Sequence, residues 1–336
     1  MSRIYKAKAP MRIGFFGGGT DVSPYPELYG GKVLNCTIDT YVRCMLRPTE
    51  RPGVTIRSLD LQTITHTVTG RTWDGNLPLP EAVMNAHPAI DGVEVVMFSD
   101  VPPGSGLGSS SALVVAMLKL VDLSFGLELG PHELARLAYR IEREDLGIPG
   151  GWQDQYAAAF GGMNVYHFNA DHVIVEPVVS APAALLELES SLVIGFIGDR
   201  GMLTHHVVDD QVRRMQHGDT LQYHHETKAF VDEAVKLLRT QRIPDFGRLL
   251  DAAWQVKKAF SPHIASTTVD EVYALARKHG AWGGKLSGAG GGGFMCFCCP
   301  FERRLELEEA LIDYGVRVRP FSFTTGGVQA WTVAEQ

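Results

Sequence analysis

The chain has 336 residues, 45% of them hydrophobic, and a formal net charge of −7. That length can build two domains with sizeable cores, and the negative balance excludes an extended nucleic-acid surface, so any basic groups that grip an anion must be local. Apolar runs are broken by Lys119, Asp122 or glycines well short of a membrane span, and Met1 to Phe16 lacks the h-region and cleavage site of a leader; the cytoplasm is the expected compartment. Five cysteines, with Cys296, Cys298 and Cys299 in one apolar stretch, read as small buried hydrophobes rather than a disulfide framework, and no zinc spacing is present.

In chain order, Arg3 to Arg12 alternates loosely and runs into Ile13-Gly14-Phe15-Phe16-Gly17-Gly18-Gly19-Thr20-Asp21, a strand breaking into a glycine turn that ends on a carboxylate. Thr20 and Asp21 could bond the hydroxyls of a polar substrate; a bulge with a turn-capping Asp fits equally. Strands are predicted over Gly31 to Arg47 and Val54 to Val68, an irregular stretch over Thr72 to Pro80, a short helix over Ala82 to Ile90 and an apolar strand over Val93 to Phe98.

The stretch that follows organises the rest: Pro102-Pro103-Gly104-Ser105-Gly106-Leu107-Gly108-Ser109-Ser110-Ser111-Ala112, then a helix with Leu113, Met117, Leu120 and Leu123 on its apolar face, ending near Gly126. Alternate glycines can turn backbone amides toward one point, and serines can cap the helix. The positive end of a helix dipole with unpaired N–H groups attracts phosphate. An ordinary capped loop has the same composition. A helix from Pro131 to Gly147 carries Glu142, Glu144 and Asp145 in its last turn, where acidic groups oppose the dipole unless a cation compensates; a solvated face balanced by Arg140 and Arg143 is the alternative. In Ile148-Pro149-Gly150-Gly151-Trp152-Gln153-Asp154-Gln155-Tyr156, Asp154 stands between two amides, as a proton acceptor or a helix cap.

Strands over Met163 to Phe168 and His172 to Val179 close a first domain, predicted as residues 1–182. The second, 183–336, starts with a strand over Leu192 to Ile197 and a long helical stretch from about Thr204 to Thr240. Helices over Pro244 to Phe260 and Thr268 to His279 follow, then a third glycine cluster from Gly283 to Gly293, a strand over Phe294 to Cys299, a helix over Leu305 to Tyr314 and last strands over Val316 to Val333. The pairs His205-His206 and His224-His225 stand in polar surroundings and read as solvent-facing.

None of the three glycine clusters has the Gly-Lys-Ser/Thr of a Walker A loop, and Gly288-x-Gly290-x-x-Gly293 matches the dinucleotide pattern without the strand before it or the helix after it. Together, Ala9 to Asp21, Pro102 to Ala112 and Lys285 to Phe294 resemble, in order and spacing, the three motifs of the GHMP kinase superfamily. Gly-Gly-Gly-Thr-Asp, Gly-Trp-Gln-Asp-Gln and the late Phe321 to Trp331 are most similar to its sugar kinases acting on heptose 7-phosphate. The resemblance implies an α+β, two-domain GHMP kinase fold, with a ribosomal-protein-like N-terminal ATP-binding domain and a ferredoxin-like α/β sandwich after it. It also implies transfer of a phosphoryl group from ATP, with Mg²⁺, to the anomeric C1 hydroxyl of D-glycero-D-manno-heptose 7-phosphate. By resemblance, Pro103, Gly104, Ser105, Gly106, Leu107, Gly108, Ser109, Ser110 and Ser111 would wrap the triphosphate, and Ser110 with Glu142 would hold Mg²⁺. Asp154 would be the catalytic Asp beside Arg12; Gly18, Gly19, Thr20 and Asp21 would contact the sugar, and Gly288, Ala289, Gly290 and Gly291 would close over it. A substrate phosphate needs local cations, for which Lys6, Lys8, Arg43, Arg51 and Arg200 are candidates. The expected partners are a sugar phosphate and ATP, with no nucleic acid and no membrane, in a monomer or homo-oligomer. Other sugar 1-kinases, acting on fucose, galactose or an octose phosphate, and a non-catalytic sensor on the same scaffold remain alternatives.

Overall fold

The structure, a computed structural model, describes residues 3–68, 72–198 and 203–334. Its first sheet has eight strands: β1 (Arg3–Phe16), β2 (Gly31–Pro48), β3 (Val54–Ser58), β4 (Thr63–Thr67), β5 (Val93–Ser99), β6 (Met163–Phe168), β7 (Val173–Pro177) and the last strand of the chain, Gln329–Ala334. The 18-residue β2 is its spine, pairing with β1 along its length while one end, Gly31–Cys36, holds β6 and the other, Val42–Pro48, holds β5. β1 carries register shifts at Pro10/Met11 and Gly14/Phe16. Such irregularities bend a strand and re-aim its side chains, here on the segment that carries Arg12.

The short α1 (Tyr25–Tyr29) and α2 (Pro78–Asn85) flank the sheet, and α3 (Ser109–Phe125) packs on β1 and β2. Ala112, Val114, Val115, Ala116, Met117 and Leu118 of α3 are all buried, so this helix is apolar nearly all round and lies inside the fold. α4 (Pro131–Tyr139) continues into a π-helical turn at Arg140–Asp145 rather than running on as α-helix, and α5 (Gln153–Phe160) packs on both α3 and α4.

α6 (Pro182–Ser191) leads into the second sheet, in which β8 (Leu192–Phe196), β9 (Gly283–Leu286), β10 (Phe294–Cys298) and β11 (Arg317–Arg319) lie in the antiparallel order β11-β8-β10-β9. Phe294, Cys296 and Cys298 of β10 face one core while Met295 and Phe297 face a second, which explains the unbroken apolar run there. The predicted long helix is two, α7 (Leu203–Gln216) and α8 (Leu221–Arg239), because His217-Gly218-Asp219-Thr220 forms a turn between them. α9 (Ile243–Lys258), α10 (Thr267–Lys278) and α11 (Arg304–Tyr314) complete the second part. Phe246 of α9 packs edge-on against Phe15 and Phe16 of β1, with ring centroids 5.5 and 5.2 Å apart, so one core spans both parts.

The last strand, β12 (Gln329–Ala334), returns to β1 in antiparallel register, Lys6 opposite Trp331. The predicted second domain therefore contributes its final strand to the first sheet. All five cysteines are free and buried. Among the described residues no helix is long and apolar enough to cross a membrane.

Candidate functional site

A cavity of about 830 Å³ has a wall that includes residues from all three glycine clusters and from α7, α8 and α9. At one end is the loop before α3. Gly104, Gly106 and Gly108 have φ of +72°, +84° and +80°, the left-handed region open chiefly to glycine. Gly108 itself is the N-cap of α3 and makes no side-chain cap, so the serines do not cap the helix as expected: Ser109, Ser110 and Ser111 are its first three residues. The helix therefore presents bare amides at its positive end, and the loop curves around them.

Arg12 reaches this loop from β1. Its Nε donates to Asp154 Oδ1 at 2.8 Å, its second amino group stands 2.5 Å from the same oxygen, and its other terminal nitrogen donates to the Gly106 carbonyl at 2.5 Å and to Ser287 Oγ at 3.2 Å. Arg12 is 3% exposed, so this fork is held rigidly and fixes Asp154 in place. A methyl group on Gly108 would stand 3.3–3.4 Å from the Asp154 carboxyl group. The lone carboxylate thus faces the loop directly, one residue inside the N-terminus of α5.

Glu142 is fully buried beneath the same helix end, and the π-helical turn carries it inward, away from the solvated face that charge patterning allowed. Its Oε1 accepts from Ser110 Oγ at 2.7 Å; its Oε2 accepts from Ser111 Oγ and Gln155 Nε2, both at 2.6 Å. Three donors on one carboxylate are what hold a buried charge. Ser110 lines the cavity, and its hydroxyl lone pairs remain to bind a cation there. Arg143 follows, its guanidinium beneath the Ile148–Gly151 loop: it donates to Ile148 O at 3.2 Å, and a methyl group on Gly150 would lie 2.5 Å from its Cζ.

At the other end, Asp21 accepts from Gly19 N at 3.0 Å and from the backbone and side-chain amides of Gln153 at 3.2 and 3.1 Å. A methyl on Gly151 would meet Asp21 Oδ2 at 2.0 Å, so glycine is required for this close approach. Beyond Gly19 come Lys257, Gln211 and His224. Lys257 Nζ donates to Gln211 Oε1 at 2.9 Å, and Gln211 Nε2 donates to Ala289 O at 2.9 Å. Lys285, in β9, donates to Gly14 O at 2.8 Å; burial, with Lys257 and Arg12 nearby, pushes its ammonium down to about 7.

Several expected residues take other roles. Thr20 is fully buried, its hydroxyl 2.8 and 3.0 Å from the Gly17 and Lys32 carbonyls and accepting from Lys32 N at 3.0 Å; it holds the turn and is not part of the cavity wall. Ser105, Leu107 and Ser111 are fully buried and are not part of the cavity wall, whereas Pro103, Gly104, Gly106, Gly108, Ser109 and Ser110 line it. Gly18, Gly19, Gly288 and Ala289 line it too. Gly290 and Gly291 do not: Gly291 N donates to Ile264 O at 2.9 Å, and Gly290 packs on Ile264, so they anchor the loop. Lys6 and Lys8 lie on the sheet face opposite Ala7 and Ala9, Arg43 pairs with Asp100, and Arg51 is exposed, all away from the cavity. Asp199 to Met202, with Arg200, lies outside the described residues. The Gly288–Gly293 stretch joins two antiparallel strands, β9 and β10, so it is no dinucleotide fingerprint.

His224 is buried rather than solvent-facing. Its ring stacks on Phe260 at 4.0 Å and its Nδ1 lies 2.9 Å from Thr220 O. Burial above all, with Lys257 and His225 adding repulsion against the Thr220 hydrogen bond, pushes its pKa down to about 4 from 6.5. The folded chain keeps it neutral while the unfolded chain binds a proton below 6.5, so stability falls as pH drops from about 6.5 to about 4. His224→Gln is expected to remove on the order of 3 kcal/mol of that fall, read from urea midpoints of both proteins across the window. Parallel pH curves for the two would refute it.

Comparison with known proteins decides the family. The model for the GHMP kinases N terminal domain matches residues 79–162, and that for the GHMP kinases C terminal domain matches 234–317. The chain is 37% identical to the D-glycero-alpha-D-manno-heptose 7-phosphate kinase of Campylobacter jejuni, over 98% of this chain and 100% of that one. The chain belongs to the GHMP kinases. A crystal structure of a D-glycero-D-manno-heptose 1-phosphate kinase from Bacteroides thetaiotaomicron superposes with a TM-score of 0.83 at 33% identity, covering 98% of this GHMP kinase and 100% of that chain. Lactococcus lactis galactokinase with galactose superposes at 0.73 and 19% identity, over 97% and 95% of the two chains, a likeness of fold. As a GHMP kinase, the enzyme is a phosphotransferase that uses ATP.

Proposed function

We propose that this GHMP kinase transfers the γ-phosphoryl group of ATP to the C1 hydroxyl of D-glycero-D-manno-heptose 7-phosphate, giving the 1,7-bisphosphate and ADP, for nucleotide-activated heptose synthesis in the cytoplasm. The observation that carries the chemistry is the Asp154 carboxylate, clamped by Arg12 against the loop at Gly108. The full-length relation to the Campylobacter jejuni enzyme supports the sugar.

In this reading the amides of Gly104 to Gly108 and the N-terminus of α3 take the phosphates, with Ser109 and Ser110 beside them. The sugar lies along Gly18, Gly19 and Asp21, with Gly288 and Ala289 over it, and its C1 hydroxyl reaches Asp154. The hydroxyl oxygen forms a bond to the γ-phosphorus as the bond to the β-bridging oxygen breaks. Its proton passes to Asp154, and ADP carries the electron pair away. Arg12 holds the carboxylate in line, and the loop amides take up charge on the moving group. Asp154 acts mainly by orienting, because a loose transition state asks little of a base.

The residues present also fit Mg²⁺. Among the described residues no three His, Cys, Asp or Glu side chains stand together as a metal site, but the Ser110 hydroxyl and the Glu142 carboxylate supply two hard oxygens to share the ion with phosphate and water. The ion would neutralise charge on the β- and γ-phosphates. We place the division between the ATP-binding and C-terminal domains at residues 182 and 183, with β12 belonging to the first sheet. ADP release against free and phosphorylated hexoses and heptoses tests the reading: heptose 7-phosphate should be preferred by kcat/KM. Preference for fucose or galactose would replace it, and ATP binding without turnover on any sugar would indicate a sensor.

A further inference from the structure

We propose that Lys257, braced by Gln211 against the turn at Gly19, is the seat for the phosphate group that the acceptor sugar already carries. The proposal rests on the reading that the acceptor is a sugar phosphate, and it names the cation that recognises it.

Contacts order the cavity. The glycine loop touches Asp154 at Gly108; Gln153, next to Asp154, binds Asp21; Asp21 binds Gly19; and a methyl group on Gly19 would lie 3.5 Å from Lys257 Nζ. Lys257 is thus reached from the nucleotide loop through Asp154, Gln153, Asp21 and Gly19 in turn. An acceptor phosphorylated at one end and reacting at the other must span that order. Among the described residues, the wall's two arginines hold other groups: Arg12 binds Asp154 and Gly106, and Arg143 lies beneath the Ile148–Gly151 loop.

Lys257 is built in rather than dangling. It is 7% exposed, its ammonium donates to Gln211 at 2.9 Å and sits 4.5 Å from the Phe260 ring centroid, and Gln211 is tied to the third glycine loop through Ala289 O. A long flexible side chain fixed this way has little entropy left to lose on binding an anion. Its charge is also felt nearby. Lys257 and Arg12 both help to push the Lys285 ammonium down, and Lys257 helps to keep His224 neutral. Gathering positive charge in a buried wall is unfavourable in the empty cavity and becomes favourable when a dianion enters.

The test compares wild type, Lys257→Met and Lys257→Arg with heptose 7-phosphate and with the same heptose lacking its phosphate. Lys257→Met is expected to raise KM for the sugar phosphate about 100-fold while kcat/KM for the unphosphorylated sugar and KM for ATP stay within about 3-fold; Lys257→Arg should recover most of the loss. Equal losses on both acceptors, or an unchanged KM, would overturn the proposal. A second arm titrates inorganic phosphate into wild type and Lys257→Met, each saturated with a non-hydrolysable ATP analogue. Binding weakened at least about tenfold by the substitution supports the seat, and equal binding or none overturns it. If heptose 7-phosphate is no substrate yet phosphate binding depends on Lys257, the substrate reading fails and the seat stands. Should Lys257→Met not fold, Gln211→Leu, which removes one hydrogen-bond acceptor of the ammonium, must shift the sugar-phosphate KM in the same direction by a smaller factor, and no shift counts against the seat.

Discussion

An Asp154→Asn protein is expected to bind ATP as tightly as the wild type and to turn over about 10³-fold more slowly, the middle of the range for a positioned proton acceptor. The amide keeps the size of the side chain but loses the charge that Arg12 clamps from two nitrogens, so orientation of the acceptor hydroxyl and a place for its proton disappear together. The loop amides and the α3 N-terminus are untouched, which is why nucleotide affinity should survive. Steady-state kinetics with calorimetric titration of an ATP analogue separates the two effects. Turnover within a few-fold of wild type would remove Asp154 from the mechanism, and lost nucleotide binding would mean that it serves the loop instead.

Glu142→Gln is expected to lower kcat/KM about 100-fold and to raise the Mg²⁺ concentration needed for half-maximal rate. Glu142 accepts from Ser110, Ser111 and Gln155, and an amide in its place turns an N–H₂ group toward at least one of those donors. It also removes the negative charge that would help to hold the cation beside Ser110. Titrating Mg²⁺ at fixed ATP reads this directly. A lower rate with an unchanged Mg²⁺ midpoint would make Glu142 a brace for the helix end and not a metal ligand.

Much of this site was legible because glycines and isolated charges leave strong marks in a sequence. The glycine loop at Gly104 to Gly108, Arg12, Asp154 and Glu142 were each picked out by residue type and motif; the fold brings the loop, Arg12 and Asp154 to one cavity and buries Glu142 behind Ser110. Direction within a turn was not legible. Thr20 and Ser111 have the right chemistry for ligands, but their hydroxyls serve the Gly17–Lys32 turn and Glu142. Gly290 and Gly291 read like Gly288 yet pack against Ile264. Lys257 and Gln211 were missed because they come from α9 and α7, helices whose spacing marks them as amphipathic and nothing more; only the tertiary fold brings them to Gly19. His224 misled for a related reason. Its polar neighbours suggested a wet face, while Phe260 and the cavity wall enclose it. The break at Gly218 and the π-helical turn at Glu142 are local departures that a helix period cannot register.

The most direct test of phosphoryl transfer at this site is ³¹P NMR of the wild-type enzyme mixed with ATP, Mg²⁺ and D-glycero-D-manno-heptose 7-phosphate. The expected spectrum loses the γ-phosphate signal and gains a second sugar phosphomonoester coupled to the anomeric proton, in step with ADP. A spectrum in which ATP is consumed to inorganic phosphate, or in which the new ester couples to any proton other than that at C1, would contradict the account.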